Sequence, residues 1–479
     1  MEAGLNLLRG LCLALLLTGL PTGNAFGATD GASAAPKQRM QAAMQANRER
    51  YGIAGQAVMV VHNGQVLFRG ADGQADVEAG KRLTPGHVFP VYSLSKLFVS
   101  TLVMQLVDRG SVDPDAAASA YLPDLPGAWR NITVRQFLDH TSGVAEYFEG
   151  ESPATFPPDL SAALSAAGAK PPQFAPGTQS RYTQTNYLVL SALLQAHYGK
   201  PYVEIAEERI IRRLHLRHTW LGPARLPGRG VAAAYLGKDG RLQRQQEIPW
   251  PDYSYAHGSL YASLDDLARF LRALGKGELV GKATLQRLWR AQTLRDGRRG
   301  TFAGGWEYGE SAPYRFVGHD GGARVRVRLV FEDALDGDLY AFLYLTNGSA
   351  RNVWSRTLVD SAMAAVAPRR FPSQALSERL IGLAWQGADA AAMDAAVAAA
   401  RKQAAMADAA LEGTINNAGY AARESLGAEA AIRLFRLNTR LFPGSANTWD
   451  SLAETYQANG EQERARALYE KARSLTAKP

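Results

Sequence analysis

The sequence predicts an α+β fold followed by an all-α C-terminal domain, and three observations predict it. Apolar runs and alternation mark strands near residues 56–70 and 325–345, and helical periods lie between them over 96–109, 186–198 and 202–214. Strand signals then vanish after residue 366. The chain has 479 residues, enough for roughly two or three folded units. With 46% apolar and 20% charged residues it has a globular composition, which excludes wholesale disorder and a fibrous architecture.

Taken in chain order, residues 1–25 read as a signal peptide. Arg9 gives a short basic region, residues 11–20 form an apolar run too short to span a bilayer, and Gly23-Asn24-Ala25 offers small residues at a cleavage site. Gly27-Ala28 is a second cleavage point, and a retained N-terminal anchor is the competing reading. Cys12 is the only cysteine and falls in this stretch, so no disulfide framework, Cys-rich metal site or Cys nucleophile is expected. The expectation is a periplasmic or secreted protein with no stable membrane span after cleavage. Residues 26–37 read as a flexible leader.

Residues 56–62 and 65–70 are apolar runs joined by Asn63-Gly64, a hairpin signal because both positions of a type I′ turn tolerate positive φ. Residues 96–109 have a helical period that ends at Gly110. Pro and Gly then punctuate the chain to about residue 180, after which 186–198 and 202–214 read as helices. Residues 325–329 alternate at period two, a half-buried strand, and 339–345 form another beyond the acidic turn 332–338. Residues 366–412 read as an Ala-rich helical connector, with one helix over 388–411. In 413–479, Ala431, Leu434 and Phe435 recur as Ala465, Leu468 and Tyr469, a spacing of 34 that resembles tetratricopeptide units. Two such units seldom stand alone, so they are expected to pack on their neighbours, either as a cap or as a groove for a protein partner.

Lys plus Arg is 53 against 45 Asp plus Glu, a net +8 spread over the chain with short clusters such as 295–299. No zinc-finger or RNP-type pattern accompanies these cations, so no nucleic-acid partner is expected. The chemistry begins at Phe89-Pro90-Val91-Tyr92-Ser93-Leu94-Ser95-Lys96. Ser-x-x-Lys alone is weak, since roughly one or two chance matches are expected in a chain of this length. Here it sits where a Pro- and Gly-rich loop meets a helix, so Ser93 is expected in the first turn with Lys96 on the same face. A Ser hydroxyl needs a base, and a Lys whose pKa is lowered by burial can be one. The bland alternative is Ser93 as an N-cap and Lys96 as a surface cation.

Further motifs follow in order: Asp139-His140-Thr141-Ser142-Gly143, Tyr182-Thr183-Gln184, Gly258-Ser259-Leu260, Gly304-Gly305-Trp306 and Gly318-His319-Asp320-Gly321-Gly322. Together with Ser93-Leu94-Ser95-Lys96 they resemble the serine β-lactamase and penicillin-binding-protein-like family, on the class C side that also holds esterases and D-aminopeptidases. The resemblance covers about residues 38–365. It implies an antiparallel sheet flanked by helices, with an all-helical lobe inserted around 110–230. Ser93 matches the acylating serine, Lys96 its lysine, Tyr182 the tyrosine that shares proton transfer, and His319-Asp320-Gly321 the third motif. The N–H groups of Ser93 and Gly322 match the oxyanion-hole donors, and Gln184, Gly321 and Trp306 are expected against substrate.

Two departures stand out. Gln184 replaces the usual Asn, moving its amide by one methylene. His319 replaces Lys, and His is largely neutral at pH 7, so the permanent cation that would meet a β-lactam or peptide carboxylate is missing. Arg324, Arg326 and Arg328 are candidates to supply it, against the simpler reading that they solvate an outer strand face. His140 reads as a turn support. Tyr92, Tyr147, Tyr187 and Tyr255 read as core before contact. Because Gly-x-Ser-x-Gly, His-Glu-x-x-His, Walker and Rossmann patterns are all missing, no metal or other cofactor is expected. The expected function is an exported serine hydrolase that forms an acyl-enzyme with an amide or ester substrate: a peptidase, an esterase or a weak β-lactamase. The alternative is a penicillin-binding-like sensor that captures ligand without turnover and signals through the repeats.

Overall fold

Asn63 and Gly64 both adopt positive φ, 47° and 82°, and close a hairpin between the strands Gly55–His62 and Gln65–Asp76. A computed structural model describes residues 36–148, 156–238, 240–246 and 249–476 of the chain. The signal-peptide reading and most of the leader lie outside the described residues. Pro36 and Lys37, assigned to the leader by composition, instead begin the helix Pro36–Tyr51, where a proline in the first turn loses no hydrogen bond.

The hairpin joins an eight-stranded antiparallel sheet. In spatial order its strands are Lys81–Arg82, Gln65–Asp76, Gly55–His62, Tyr340–Thr346, Val325–Phe331, Tyr314–Gly321, Trp306–Ser311 and Phe302–Ala303. Both faces of its central strands are covered. Ala57, Met59, Val61, Val327 and Leu329 join the core shared with the inserted lobe. Val58, Val60, Val330 and Phe342 pack beneath the helices Pro36–Tyr51 and Ser355–Val366. The strand expected to be half-buried is therefore buried along its length. Arg326 and Arg328 do not solvate an outer face. The helix Ser355–Val366 lies over them, and they pair with Glu307 and Asp360.

The lobe carries the helices Val134–Leu138, Leu160–Gly168, Thr185–Tyr198 and Tyr202–Ala206, the last running into a π-helical stretch Glu207–Arg212. It is not wholly helical. Thr219–Leu221 pairs with Leu260–Ser263, which also pairs with Val88–Tyr92, forming a second small sheet. A capping box between Thr133 and Gln136 fixes the start of Val134–Leu138 and hence the turn that follows it.

Beyond the sheet, helices Pro372–Trp385, Ala390–Ala404, Asp408–Leu426, Ala428–Leu441, Ala446–Ala458 and Gln462–Thr476 share a separate core. The single helix expected over 388–411 is broken. Asp389 caps its start, accepting from the Ala392 N–H, and Ala405 turns left-handed at φ 40° to end it. The repeated positions do what their spacing requires: Ala431, Leu434, Phe435 and Ala465 are buried, with Leu468 and Tyr469 packed against them. These last four helices pair in sequence, Asp408–Leu426 with Ala428–Leu441 and Ala446–Ala458 with Gln462–Thr476. Among the described residues no helix is long and apolar enough to cross a membrane.

Candidate active site

The strand Val88–Tyr92 ends at Tyr92, whose φ of 48° turns the chain sharply. The Leu94 N–H then bonds the Val91 carbonyl at 3.1 Å, so Ser93 occupies a tight turn just ahead of the helix Ser95–Asp108. It precedes the first helical turn rather than lying in it. Ser95 secures the turn by donating to the Tyr92 carbonyl at 2.7 Å and accepting from the Leu260 N–H at 3.0 Å. The bland alternative fails on both counts. Leu94 is the N-cap, with no side-chain capping bond, and Lys96 is fully buried.

Lys96 Nζ lies 3.4 Å from Ser93 Oγ and donates to the His257 carbonyl at 2.8 Å. The rings of Tyr182 and Tyr187 flank it, their centroids 4.8 and 5.4 Å away. Burial lowers its pKa well below the usual lysine value, and the nearby charges of Glu146 and Asp320 only partly oppose this. A neutral amine beside a serine hydroxyl can accept its proton. On the other side of Ser93, the Tyr182 hydroxyl donates to Oγ at 3.0 Å. One flank of the Tyr182 ring is open (39% exposed), but its packed surroundings push the phenol well above the usual tyrosine value, so it stays protonated.

His140 carries more than a turn. It sits at φ 55°, fully buried, with its ring 4.6 Å from that of Tyr182. The Thr183 N–H and the Asn186 amide donate to Nδ1 at 3.2 and 2.9 Å, which places the imidazole proton on Nε2. Burial lowers its pKa well below the usual histidine value and keeps the ring neutral. Glu146 accepts from the Gln184 N–H at 2.9 Å and from the Thr183 and Thr185 hydroxyls, each at 3.2 Å. Its negative charge thus caps the positive end of the helix Thr185–Tyr198. Gln184 opens that helix, and its Oε1 is buried without a hydrogen-bond partner.

His319, near the end of the strand Tyr314–Gly321, is buried with its ring 5.9 Å from that of Tyr182. Its Nδ1–H donates to the Asp320 carbonyl at 2.6 Å, and Nε2 has no partner among the described residues. Burial lowers its pKa, so it offers no standing cation. Burial opposes ionisation of Asp320, but Arg326, His319 and a 3.0 Å bond from Ser355 hold its carboxyl below the ordinary range. Gly321 passes so close to the turn before Ser93 that a Cβ there would lie 2.4 Å from the Val91 carbonyl, and one at Gly322 would meet the Tyr92 ring at 3.1 Å.

Trp306 is a correction. It is fully buried, stacked on Phe270 at 6.4 Å and edge-on to Trp289 at 5.3 Å, so it belongs to the core rather than to the wall of the cleft. Strand alternation aims it at the lobe-side core rather than the cleft. Arg324 turns aside to Asn352, and Arg326 reaches the site only indirectly, as the 3.4 Å partner of Asp320. Tyr147 and Tyr187 are buried, bonded to His257 Nε2 and the Gly305 carbonyl. Sequence reasoning missed Glu146 and His257. Only the adjacency of His257 to Gly258-Ser259-Leu260 hinted at it, because a backbone carbonyl leaves no mark on composition. Among the described residues no three His, Cys, Asp or Glu side chains converge as a metal would require.

Residues 38–365 match the family model described as Beta-lactamase. The D-aminopeptidases of Brucella canis and Brucella anthropi are 27% and 28% identical over 296 and 287 residues, which is 60% and 58% of this chain. Those stretches make up 55% and 53% of the two relatives, so the chain spans about half the length of the curated relatives it matches. Among solved structures, the D-amino acid amidase from Ochrobactrum anthropi SV3 aligns with a TM-score of 0.58 at 20% identity, over 70% of this chain and 100% of that one. The D-stereospecific amidohydrolase from Streptomyces sp. aligns with a TM-score of 0.55 at 23% identity, over 68% of this chain and 97% of that one. At these identities the two structures speak for the fold.

Proposed function

This chain belongs to the beta-lactamase family, its matches here include D-aminopeptidases and a D-amino acid amidase, and from that premise we propose that it cleaves amides of amino-terminal D-residues through an acyl-enzyme on Ser93. One observation carries the reading: Ser93 Oγ lies within reach of both a buried lysine amine, at 3.4 Å, and a protonated tyrosine hydroxyl, at 3.0 Å. In the proposed first step Ser93 Oγ bonds to the substrate carbonyl carbon while its proton passes to Lys96 Nζ. The N–H groups of Ser93 and Gly322 receive the developing oxyanion, each such donor being worth roughly 3–4 kcal/mol. The proton then leaves through Lys96 and the Tyr182 hydroxyl to the departing amine as the C–N bond breaks. Water reverses the sequence at the ester and frees Ser93.

The electrostatics support an amine-bearing substrate. His319 is neutral, while Glu146 and Asp320 both act on Lys96 as negative charges. A free ammonium is favoured in such a field and a carboxylate is not, which counts against efficient β-lactam turnover. We also propose that the protein acts in the periplasm or outside the cell, on the strength of the N-terminal sequence pattern. The test is a panel of D-amino-acid amides, p-nitrophenyl esters and nitrocefin, run with wild type and Ser93→Ala. Turnover of D-amino-acid amides above nitrocefin, lost in Ser93→Ala, is expected. Stoichiometric acylation of Ser93 by every reagent with no turnover of any would favour the capture-and-signal reading instead.

A further inference from the structure

Arginines gather where the rear face of the sheet meets the C-terminal helices. A cleft of about 650 Å³ opens there, walled by the strands Trp306–Ser311 and Val325–Phe331 and by the helices Ser355–Val366 and Asp408–Leu426. Arg326, Arg328, Arg356 and Arg370 line it, and the carboxylates on its walls are Glu307, Glu310 and Asp360. All three acids are already engaged. Glu307 holds Arg326, Asp360 holds Arg328 at 2.6 Å, and Glu310 lies 3.8 Å from Arg299. Arg370 turns away to Asp338 at 3.1 Å. Arg356 is left over. Among the described residues no carboxylate lies within ion-pair distance of it, and its guanidinium rests 4.0 Å from the centroid of the Trp354 ring.

Two further facts set the chemistry of this wall. Partial burial and the charges of Arg326 and Arg328 lower the pKa of Arg356, and the carboxylates of Asp360 and Glu307 only partly oppose this. Arg328, itself buried, keeps an Nε–H with no acceptor. A guanidinium presents a planar fork of donors that matches an oxyanion, and an aromatic ring behind it holds the fork in place.

We propose that this cleft is a second ligand site, taking a small oxyanion-bearing molecule whose anionic group seats on Arg356 in front of Trp354. Carboxylates and phosphates share the required chemistry. The cleft shares no residue with the proposed acyl-transfer machinery, although it runs close to it. Thr301 and Phe302 line its edge, and the Phe302 ring lies 6.0 Å from those of both Tyr182 and His319.

The experiment is calorimetric titration of the full chain with inorganic phosphate and, separately, with succinate. Saturable binding of one equivalent of at least one probe is expected, and the stronger probe identifies the preferred oxyanion. Arg356→Gln should weaken it by about tenfold or more. Arg351→Gln removes a guanidinium that stacks on Trp385 instead and should leave affinity unchanged. Melting curves check that each variant is folded, and Arg356→Lys, which keeps the charge but loses the fork, should fall between wild type and Arg356→Gln. No saturable heat with either probe, or equal affinity in wild type and Arg356→Gln, would overturn the proposal.

Discussion

Gly321→Ala would set a methyl group 2.4 Å from the Val91 carbonyl oxygen and 2.8 Å from a methyl of Val325. Ordinary van der Waals contact begins at 3.4 Å, so the strand carrying His319 and the turn carrying Ser93 must separate by about 1.0 Å, the difference 3.4 − 2.4. Neither neighbour yields cheaply. The Val91 oxygen is already bonded to the Leu94 N–H that shapes the Ser93 turn, and Val325 is fully buried in the core. The predicted stability loss is about 1–3 kcal/mol, as for other overpacked sites. Activity should suffer more, because a displacement of about 1 Å between reacting groups costs on the order of 100-fold in rate, or about 2.7 kcal/mol of barrier. The assay is kcat/KM on an activated ester, with denaturant melts of the same preparation. Gly413→Ala is the control, since open space surrounds that position in its helix, and it should leave kcat/KM near wild type while raising stability by about 0.5–1 kcal/mol. A Gly321→Ala enzyme within about threefold of wild-type kcat/KM would refute the argument that this close approach sets the site's spacing.

Three further outcomes are expected. Lys96→Met should reduce turnover by about 100- to 10,000-fold and yet raise the denaturant midpoint, because the lysine's burial lowers its pKa and the unfolded chain binds that proton more readily; an active Lys96→Met enzyme would remove the proposed base. Stability should fall as pH drops below about 6.5, since burial depresses the pKa of His140, His257 and His319 and the unfolded chain takes up their protons first, whereas Asp139, pushed up to about 7, acts with the opposite sign and is outnumbered. Urea melts from about pH 7 down to about pH 5 measure this, and rising stability over that range contradicts it. Trp306→Ala should cost about 3–5 kcal/mol of stability with KM unchanged at temperatures where the variant is folded, while a raised KM with normal stability would return Trp306 to the substrate.

Much of the site was legible because its chemistry is local. Ser93 and Lys96 are three residues apart at the head of a helix, and that short spacing, with the turn at Tyr92, places Lys96 Nζ 3.4 Å from Ser93 Oγ. Asn63-Gly64 specifies its hairpin in the same way, since few residue pairs accept two positive φ values in succession. Two misreadings were matters of cover. Alternation in Val325–Phe331 correctly marked a strand, but no local pattern could say that a helix would lie over Arg326 and Arg328 and draw them into pairs with Glu307 and Asp360. Trp306 was placed near the site by its neighbours in sequence and taken away from it by the face of the strand on which it falls.

What the sequence determined by itself is therefore the proposed nucleophile, the lysine beside it and the order of elements, each set by backbone preferences over a few residues. Only the tertiary structure decided that Lys96 is dry enough to be a base, that His140 braces Tyr182 from 42 positions away along the chain, and that a carbonyl of His257 receives the lysine. Those properties depend on which surfaces exclude water, and exclusion of water is a product of packing between segments that no stretch of sequence carries alone.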